Sequence, residues 1–291
     1  MLNRCLADLG IDPEVYLSLA GNVLQPYPGI GRETPSLTVT GPIRVGVDLG
    51  TAYTVMVVLD DKGNPLAGDY QYSQVVRDGL VVDYIGAVDL LRAMRERMEQ
   101  RIGRKIDHAA SAYPPGVPRA EVRATANVVE AAGMRCPCLI DEPSAANNIL
   151  GLKDGVIVDV GGGTTGVAVL KKGSIVHTAD EATGGTHFSL VIAGALDISF
   201  EEAEELKKDP AQQSRLFPLV RPVMEKVGSI VNRHVNGSEP DRIMLVGGTT
   251  LFPGMAGVIQ EVTGINTVMP QQPMFVTPLG IAWQDTQELE E

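Results

Sequence analysis

The chain has 291 residues, with 36 acidic and 24 basic side chains for a formal net charge of −12, and it is 44% hydrophobic and 21% charged. This is the composition of an ordinary globular protein, and it excludes a low-complexity chain or a nucleic-acid binder built on clustered Lys and Arg. The 32 glycines and 19 prolines fall at turn-like positions between apolar runs, and no run reaches the ~18 apolar residues that would span a bilayer.

Residues 1–42 carry Pro26, Pro28, Pro35 and Pro42 with Gly29, Gly31 and Gly41, after a short helix permitted from Asp12-Pro13. The stretch reads as an N-terminal extension or linker outside the core. From Ile43 the pattern changes to the β-rich runs VGVDLG and TVMVVLDDKGNPL, whose alternation and Asp-Lys-Gly-Asn turn predict a hairpin. Leu90, Leu91, Met94, Met98 and Ile102 then recur at helical spacing. The basic residues of that helix, Arg92, Arg95, Arg97, Arg101, Arg104 and Lys105, are mixed with Asp89, Glu96 and Glu99 and read as a solvated face. A strand near Ala109 to Ala112, a helix from about Arg119 to Ala132 and a strand ending in LIDE follow, and Pro143 opens another helix.

The run GVIVDVGGGTTGVAVLKKGSIV then repeats the opening pattern of strand, glycine turn and return strand. Asp48 aligns with Asp159 and Gly50 with Gly161, at an offset of 111 residues. Helices are predicted near 187–197, 200–208 and 218–234, then a strand at IMLVGG, a helix around Met255 and a final run from Phe275 to Trp283. Two β-rich starts, each followed by helices, predict two α/β lobes facing a cleft. Lobe I takes residues 43–154 with 275–291 returning to it, and lobe II takes 155–274.

Cys5, Cys136 and Cys138 form no disulfide framework and close no four-ligand zinc site, so they read as reduced structural thiols. His108, His177, His187 and His234 have no metalloprotease spacing and no partner nucleophile, and they read as background. No apolar segment follows a basic start, so a cytoplasmic protein is expected.

Gly161-Gly162-Gly163-Thr164-Thr165-Gly166 matches the dinucleotide fingerprint formally, but that fingerprint must open a helix. Here Val167 and Val169 continue an alternating strand, so what remains is a bare glycine turn able to approach an anion. Asp48 and Asp159 each stand two residues before a turn glycine, at the end of a strand. Carboxylates beside phosphate-sized cradles suit a Mg²⁺-nucleotide, because magnesium keeps its waters and takes only one or two carboxylates.

VGVDLGT (45–51), IDEPSAA (140–146), VDVGGGTTG (158–166) and LVGGTTLFPG (245–254) resemble, in order, the first phosphate loop, the connecting segment, the second phosphate loop and the adenosine loop of the actin and Hsp70 ATPase superfamily. More narrowly, VVRDGLVVDYIGAV, KKG, DEATGGTHFSL and ISFEEAEELKK resemble the EutJ family of Hsp70-related ethanolamine-utilisation proteins, a likeness covering about residues 43–282. The resemblance implies a two-lobed actin-like, ribonuclease H-like α/β fold with reduced outer subdomains. It also implies that Gly50, Thr51, Ala52 and Tyr53, with Gly161, Gly162, Gly163, Thr164 and Thr165, hold the phosphates of ATP. In the same reading Asp48 and Asp159 hold hydrated Mg²⁺, and Glu142 positions the attacking water. Gly247, Gly248 and Thr249 would approach the sugar and α-phosphate. Glu204 and Lys207 match residues beside the nucleoside, while their spacing alone fits an exposed intrahelical ion pair equally well.

No convincing counterpart of the Hsp70 cleft lysine lies between Leu66 and Ile85, where Arg77 is the nearest residue. Slow hydrolysis, or binding without turnover, is therefore expected. The resemblance implies a chaperone-like or assembly role in ethanolamine catabolism. The implied partners are ethanolamine ammonia-lyase or the shell and cargo of a bacterial microcompartment. A small-molecule kinase, an actin-like scaffold and a pseudo-ATPase are the other functions this sequence allows.

Overall fold

The computed structural model describes residues 6, 12–26, 39–77, 79–117, 119–235, 237–238 and 240–285. The chain divides into two compact units, Met1–Gly151 with Phe275–Glu291, and Leu152–Met274. In chain order the first unit carries α1 (Pro13–Val23), β1 (Leu24–Pro26), β2 (Ile43–Leu49), β3 (Tyr53–Asp60), β4 (Pro65–Tyr72), β5 (Val76–Arg77), β6 (Leu80–Val81), α2 (Tyr84–Ile102), β7 (Ala110–Tyr113), α3 (Arg119–Ala131), β8 (Leu139–Asp141) and α4 (Glu142–Leu150). The second carries β9 (Gly155–Val160), β10 (Thr165–Lys171), β11 (Ser174–Glu181), α5 (Gly185–Leu196), α6 (Phe200–Lys208), α7 (Pro210–Val235), β12 (Ile243–Val246), α8 (Met255–Thr263) and β13 (Thr267–Val268). The last helix, α9 (Val276–Gln284), belongs to the first unit again.

The sheet orders are β1-β4-β3-β2-β7-β8 and β11-β10-β9-β12-β13. Leaving β1 aside, the two sheets are the same object. Three antiparallel strands are followed by two that run parallel to the first of them, β7 and β8 beside β2, and β12 and β13 beside β9. The turns after β2 and β9 also match, the Gly50 amide donating to the Tyr53 carbonyl at 3.1 Å and the Gly161 amide to the Thr164 carbonyl at 3.0 Å. The 111-residue offset read from Asp48 and Asp159 thus joins equivalent hydrogen bonds.

In the first unit Val45, Val47, Met56 and Val58 form one core with Ala87, Leu91, Met94, Met98 and Ile102 of α2. Each fully buried Val, Leu, Ile or Met among them stabilises by roughly 1.5–3 kcal/mol. α9 lies so close to β2 and α4 that only glycine fits at the crossings. A Cβ on Gly46 would strike the Ala282 backbone, and one on Gly280 the Ala145 carbonyl. In the second unit Val156, Val158, Val167 and Val169 pack with Leu216, Val220, Met224, Val227 and Val231 of α7. That helix begins at Pro210, earlier than its predicted start near 218, with Pro218 and Pro222 inside it. A proline usually marks a first turn, and here packing of Leu216 and Val220 outweighs the hydrogen bonds the two prolines cannot make.

Three readings of the sequence are corrected. The described part of residues 1–42 is no mere linker. Asp12 caps α1 by accepting from the Glu14 amide at 2.8 Å, and β1 adds to the sheet beside β4. Tyr16 of α1 is buried, donates to the Gly63 carbonyl at 2.7 Å and meets Trp283 edge-on. Second, the basic residues of α2 are largely stapled to their own unit. Arg95 donates to the carbonyls of Ala132 and Gly133, Arg97 reaches the buried Asp69 carboxylate at 2.7 Å, and Arg101 donates to the Gly68 carbonyl. Third, His108 is buried between Asp107 at 2.7 Å and Asp285 at 3.0 Å, and Asp285 also accepts from the Val45 amide. Among the described residues no helix is long and apolar enough to cross a membrane. Cys136 and Cys138 are free thiols, and burial pushes Cys136 up to about 12, which suppresses its thiolate.

Candidate functional site

In each unit the sequence-predicted residues gather where parallel strands end, the edge at which open α/β sheets bind ligands. In the first unit Asp48 pairs with Val55 just before β2 ends, and the chain turns through Gly50, Thr51 and Ala52 into Tyr53. The turn is tight because a Cβ on Gly50 would lie 2.7 Å from the Tyr53 carbonyl. The Ala52 carbonyl accepts from the Ser73 amide at 3.0 Å, and the Tyr53 ring meets Tyr70 and Tyr72 edge-on. β7 and β8 run parallel to β2, so β8 delivers Glu142 to the same edge of the sheet. Asp141 caps α4 by accepting from the Ser144 amide at 2.9 Å, and Glu142, half-buried, begins that helix.

In the second unit Asp159 and Val246 are paired neighbours on parallel strands, and the loops leaving both strands touch. Gly247 has a φ of 92°, a backbone state that side chains rarely adopt, and a Cβ there would collide with the Asp159 carboxylate and the Val160 carbonyl. Thr249 donates its hydroxyl to the Gly161 carbonyl at 2.8 Å. Gly248 and Thr249 open a short 3₁₀ turn whose Thr250 hydroxyl returns to the Gly247 carbonyl. The second-unit residues named by the sequence, Asp159, Gly161 to Thr165, Glu204, Lys207 and Gly247 to Thr249, lie in one connected patch, Lys207 joining it by donating to the carbonyl of Gly185, whose amide donates to the Gly161 carbonyl, and Glu204 by its bond to Lys207.

The patch also contains residues that sequence reasoning did not assign. The Gly185 amide donates to the Gly161 carbonyl at 3.0 Å and the Thr186 amide to the Gly162 carbonyl at 2.8 Å. Gly184 sits so close to the loop that a Cβ would lie 2.8 Å from the Gly162 carbonyl. The buried Thr165 hydroxyl donates to the Thr183 carbonyl at 2.6 Å. Their signal in the sequence is the pair of glycines just before a helix, inside DEATGGTHFSL.

Glu204 and Lys207 are not an exposed pair. Their side chains are 11% and 17% exposed and 2.6 Å apart. Burial holds the Lys207 ammonium below its usual value, the Glu204 charge opposing that shift only in part.

A nucleotide with hydrated magnesium fits these residues chemically. Both acceptor positions of the Gly161 carbonyl are taken, by Gly185 and Thr249, and the Gly162 carbonyl is taken by Thr186. The loop therefore offers a ligand mainly N–H donors, which suit an anion. In each unit an Asp stands at the strand end before the glycine turn, the hard oxygen donor that a hydrated Mg²⁺ accepts.

The MreB/Mbl protein family matches residues 66–209, and the cell division protein FtsA family matches residues 156–280. The ethanolamine utilization protein EutJ of Escherichia coli is 41% identical over 260 residues, spanning 89% of this chain and 91% of the relative. The crystal structure of EutJ from Carboxydothermus hydrogenoformans has a TM-score of 0.83 at 42% identity, covering 93% of this chain and 97% of that one. MreB5 of Spiroplasma citri bound to ADP has a TM-score of 0.66 at 20% identity, covering 82% and 94%, and attests the actin-like fold alone. With a doubled sheet, matched glycine turns and two-fifths identity along nearly its whole length, the chain belongs to the EutJ family of ethanolamine utilization proteins, built on the actin-like ATPase fold.

Proposed function

We propose that this protein binds ATP with Mg²⁺, hydrolyses it slowly, and acts as an Hsp70-like assembly factor or chaperone for proteins of ethanolamine utilisation. The observation that carries the reading is the repeated device after β2 and β9, an Asp at the strand end followed by a glycine turn closed by the same hydrogen bond. Supporting it, the E. coli relative is an ethanolamine utilization protein, and the S. citri neighbour is an ADP complex.

In this reading Gly50 to Tyr53 and Gly161 to Thr165 cradle phosphates through backbone donors, and Asp48 and Asp159 hold the waters of a Mg²⁺ that neutralises phosphate charge. Gly247 to Thr249 present bare backbone to the sugar side, and Glu142 orients the attacking water. Phosphoryl transfer is mostly positioning and charge neutralisation, so this set is nearly sufficient for hydrolysis. The missing cleft lysine is the reason turnover is slow. The client is a protein, with ethanolamine ammonia-lyase or microcompartment shell and cargo as the first to try.

Calorimetric titration with ATP, with and without Mg²⁺, tests the reading. Magnesium-dependent binding supports it, and no binding at millimolar ATP overturns it. Co-purification with the ammonia-lyase or shell proteins, compared in ATP and ADP, tests the client assignment.

A further inference from the structure

We propose that His177 and His234 form a binding site for a divalent transition-metal ion of the zinc and nickel class, and that the ion ties the edge strand β11 to the end of α7. The site lies within the second unit and does not depend on the nucleotide reading.

β11 is the outermost strand of its sheet, and His177 is exposed in the middle of it. His234 stands in the last turn of α7, its side chain 20% exposed. The fold brings these two rings together across 57 residues of sequence, with His177 Nε2 3.3 Å from His234 Nδ1. Their planes differ by 26° and their centroids are 5.5 Å apart.

The far side of His234 decides what its near side offers. His234 Nε2 lies 2.9 Å from Glu181 Oε1. A carboxylate only accepts, so Nε2 carries the proton, and the neutral ring has its lone pair on Nδ1, the atom that faces His177. A carboxylate behind an imidazole fixes its tautomer and raises its basicity, which is the arrangement that supports metal-bound histidines. Arg233 donates to the same Glu181 oxygen at 2.9 Å, which holds the carboxylate in place and compensates the arginine charge beside the site.

The gap between the rings has the right size for an ion. At 3.3 Å it is longer than the ~2.7–3.2 Å usual for an N–H donor. Two imidazole nitrogens at about 2.0–2.1 Å from a tetrahedral ion stand roughly 3.3–3.4 Å apart. His177 is exposed, so its ring can turn its Nε2 toward the same point without disturbing the core. Imidazole selects zinc, nickel or copper, whereas magnesium takes oxygen. Among the described residues no group of three His, Cys, Asp or Glu side chains can hold an ion, so two histidines and water make up the shell. The ion stabilises the folded unit by mass action, because an unfolded chain does not hold the two rings together.

The test is calorimetric titration with Ni²⁺ in millimolar Mg²⁺, which fills oxygen sites, on metal-stripped wild type, His177→Ala, His234→Ala and Glu181→Ala. Thiol binding is common to all four proteins and cancels in the comparison. The expected result is one Ni²⁺ site in wild type, at least tenfold weaker in each histidine variant, and about tenfold weaker in Glu181→Ala. Ni²⁺ should also raise the thermal midpoint of wild type and slow hydrogen exchange along β11, and do neither in His177→Ala. If His234→Ala fails to fold in chelator, His177→Ala decides, since its position is exposed. Equal affinity in wild type and His177→Ala, or no binding by wild type at millimolar Ni²⁺, would overturn the site. Unchanged affinity in Glu181→Ala would overturn the orienting role of that carboxylate.

Discussion

Thr249 and Gly161 stand 88 residues apart in sequence and are joined by a 2.8 Å hydrogen bond from hydroxyl to carbonyl. This bond fastens the loop after β12 to the loop after β9, on neighbouring parallel strands. Thr249→Val keeps the shape and removes the donor. The expected outcome is a loss of about 1 kcal/mol in chemical denaturation, with a several-fold weaker ATP affinity by calorimetry. A variant that loses stability and keeps its affinity would show that the bond serves the fold alone.

Gly247→Ala tests the close approach of backbone to Asp159. The positive φ and the collision with the Asp159 carboxylate both oppose a side chain, so a destabilisation of about 1–3 kcal/mol is expected together with loss of magnesium-dependent binding. Gly257 in α8 has open space where its Cβ would go, and Gly257→Ala should stabilise by about 0.5–1 kcal/mol through helix propensity. The two substitutions should move thermal midpoints in opposite directions.

The His108–Asp285 pair gives stability a pH dependence. Burial pulls the His108 imidazole down, but the hydrogen bond and charge of Asp285, with those of Asp107, outweigh it and raise the group from 6.5 to about 9. A value raised on folding means that the protonated form is favoured by the native state. Its contribution, about 3 kcal/mol at most, is complete below the ordinary value and fades as pH rises through the native one. Thermal midpoints should therefore fall between about pH 7 and 10, and Asp285→Asn should flatten that profile while lowering stability at neutral pH.

Arg97 covers a buried carboxylate. Asp69 is 7% exposed and accepts from Arg97, so Arg97→Leu leaves a charge without its close partner. The expected cost is about 3 kcal/mol. Arg123, which pairs with Glu130 at an exposed surface, should cost under about 0.5 kcal/mol when replaced by Ala. Urea denaturation of the two variants in parallel checks the contrast.

Glu142→Ala should abolish ATP turnover and spare ATP binding, because the residue is assigned to the attacking water and not to the phosphates. Single-turnover hydrolysis together with calorimetry separates the two. Lost binding, or unchanged turnover, would remove Glu142 from that role.

Much of this architecture could be read from the sequence because its determinants are local. Asp48 and Asp159 with their turn glycines lie within six residues of the hydrogen bonds they foreshadow, and the stripe Leu91, Met94, Met98 faces the core at helical spacing. What escaped was non-local. The anchoring of α1 depends on Tyr16 meeting Gly63 and Trp283, and nothing near Tyr16 in sequence announces either partner. The arginines of α2 look solvated until Asp69 and Gly68 are brought beneath them. β11 merged with β10 in the sequence pattern because Ser174 to Thr178 is mostly exposed and has no clean alternation. Lys172 and Gly173, both with positive φ, separate the two strands.

The return of α9 to the first unit bears on how the protein is made. Gly46 and Gly280 are glycines so that α9 can lie against β2 and α4, and its partners lie far upstream in the chain. While the polypeptide emerges from the ribosome, β2, β3 and β7 are present for the whole synthesis of the second unit with one face of their sheet still bare. Only when residues beyond 275 are translated can that face close and Asp285 reach His108. The first unit to be synthesised is thus the last to finish folding, and a transcript truncated near its end yields a chain with an intact second unit and an unsealed first one.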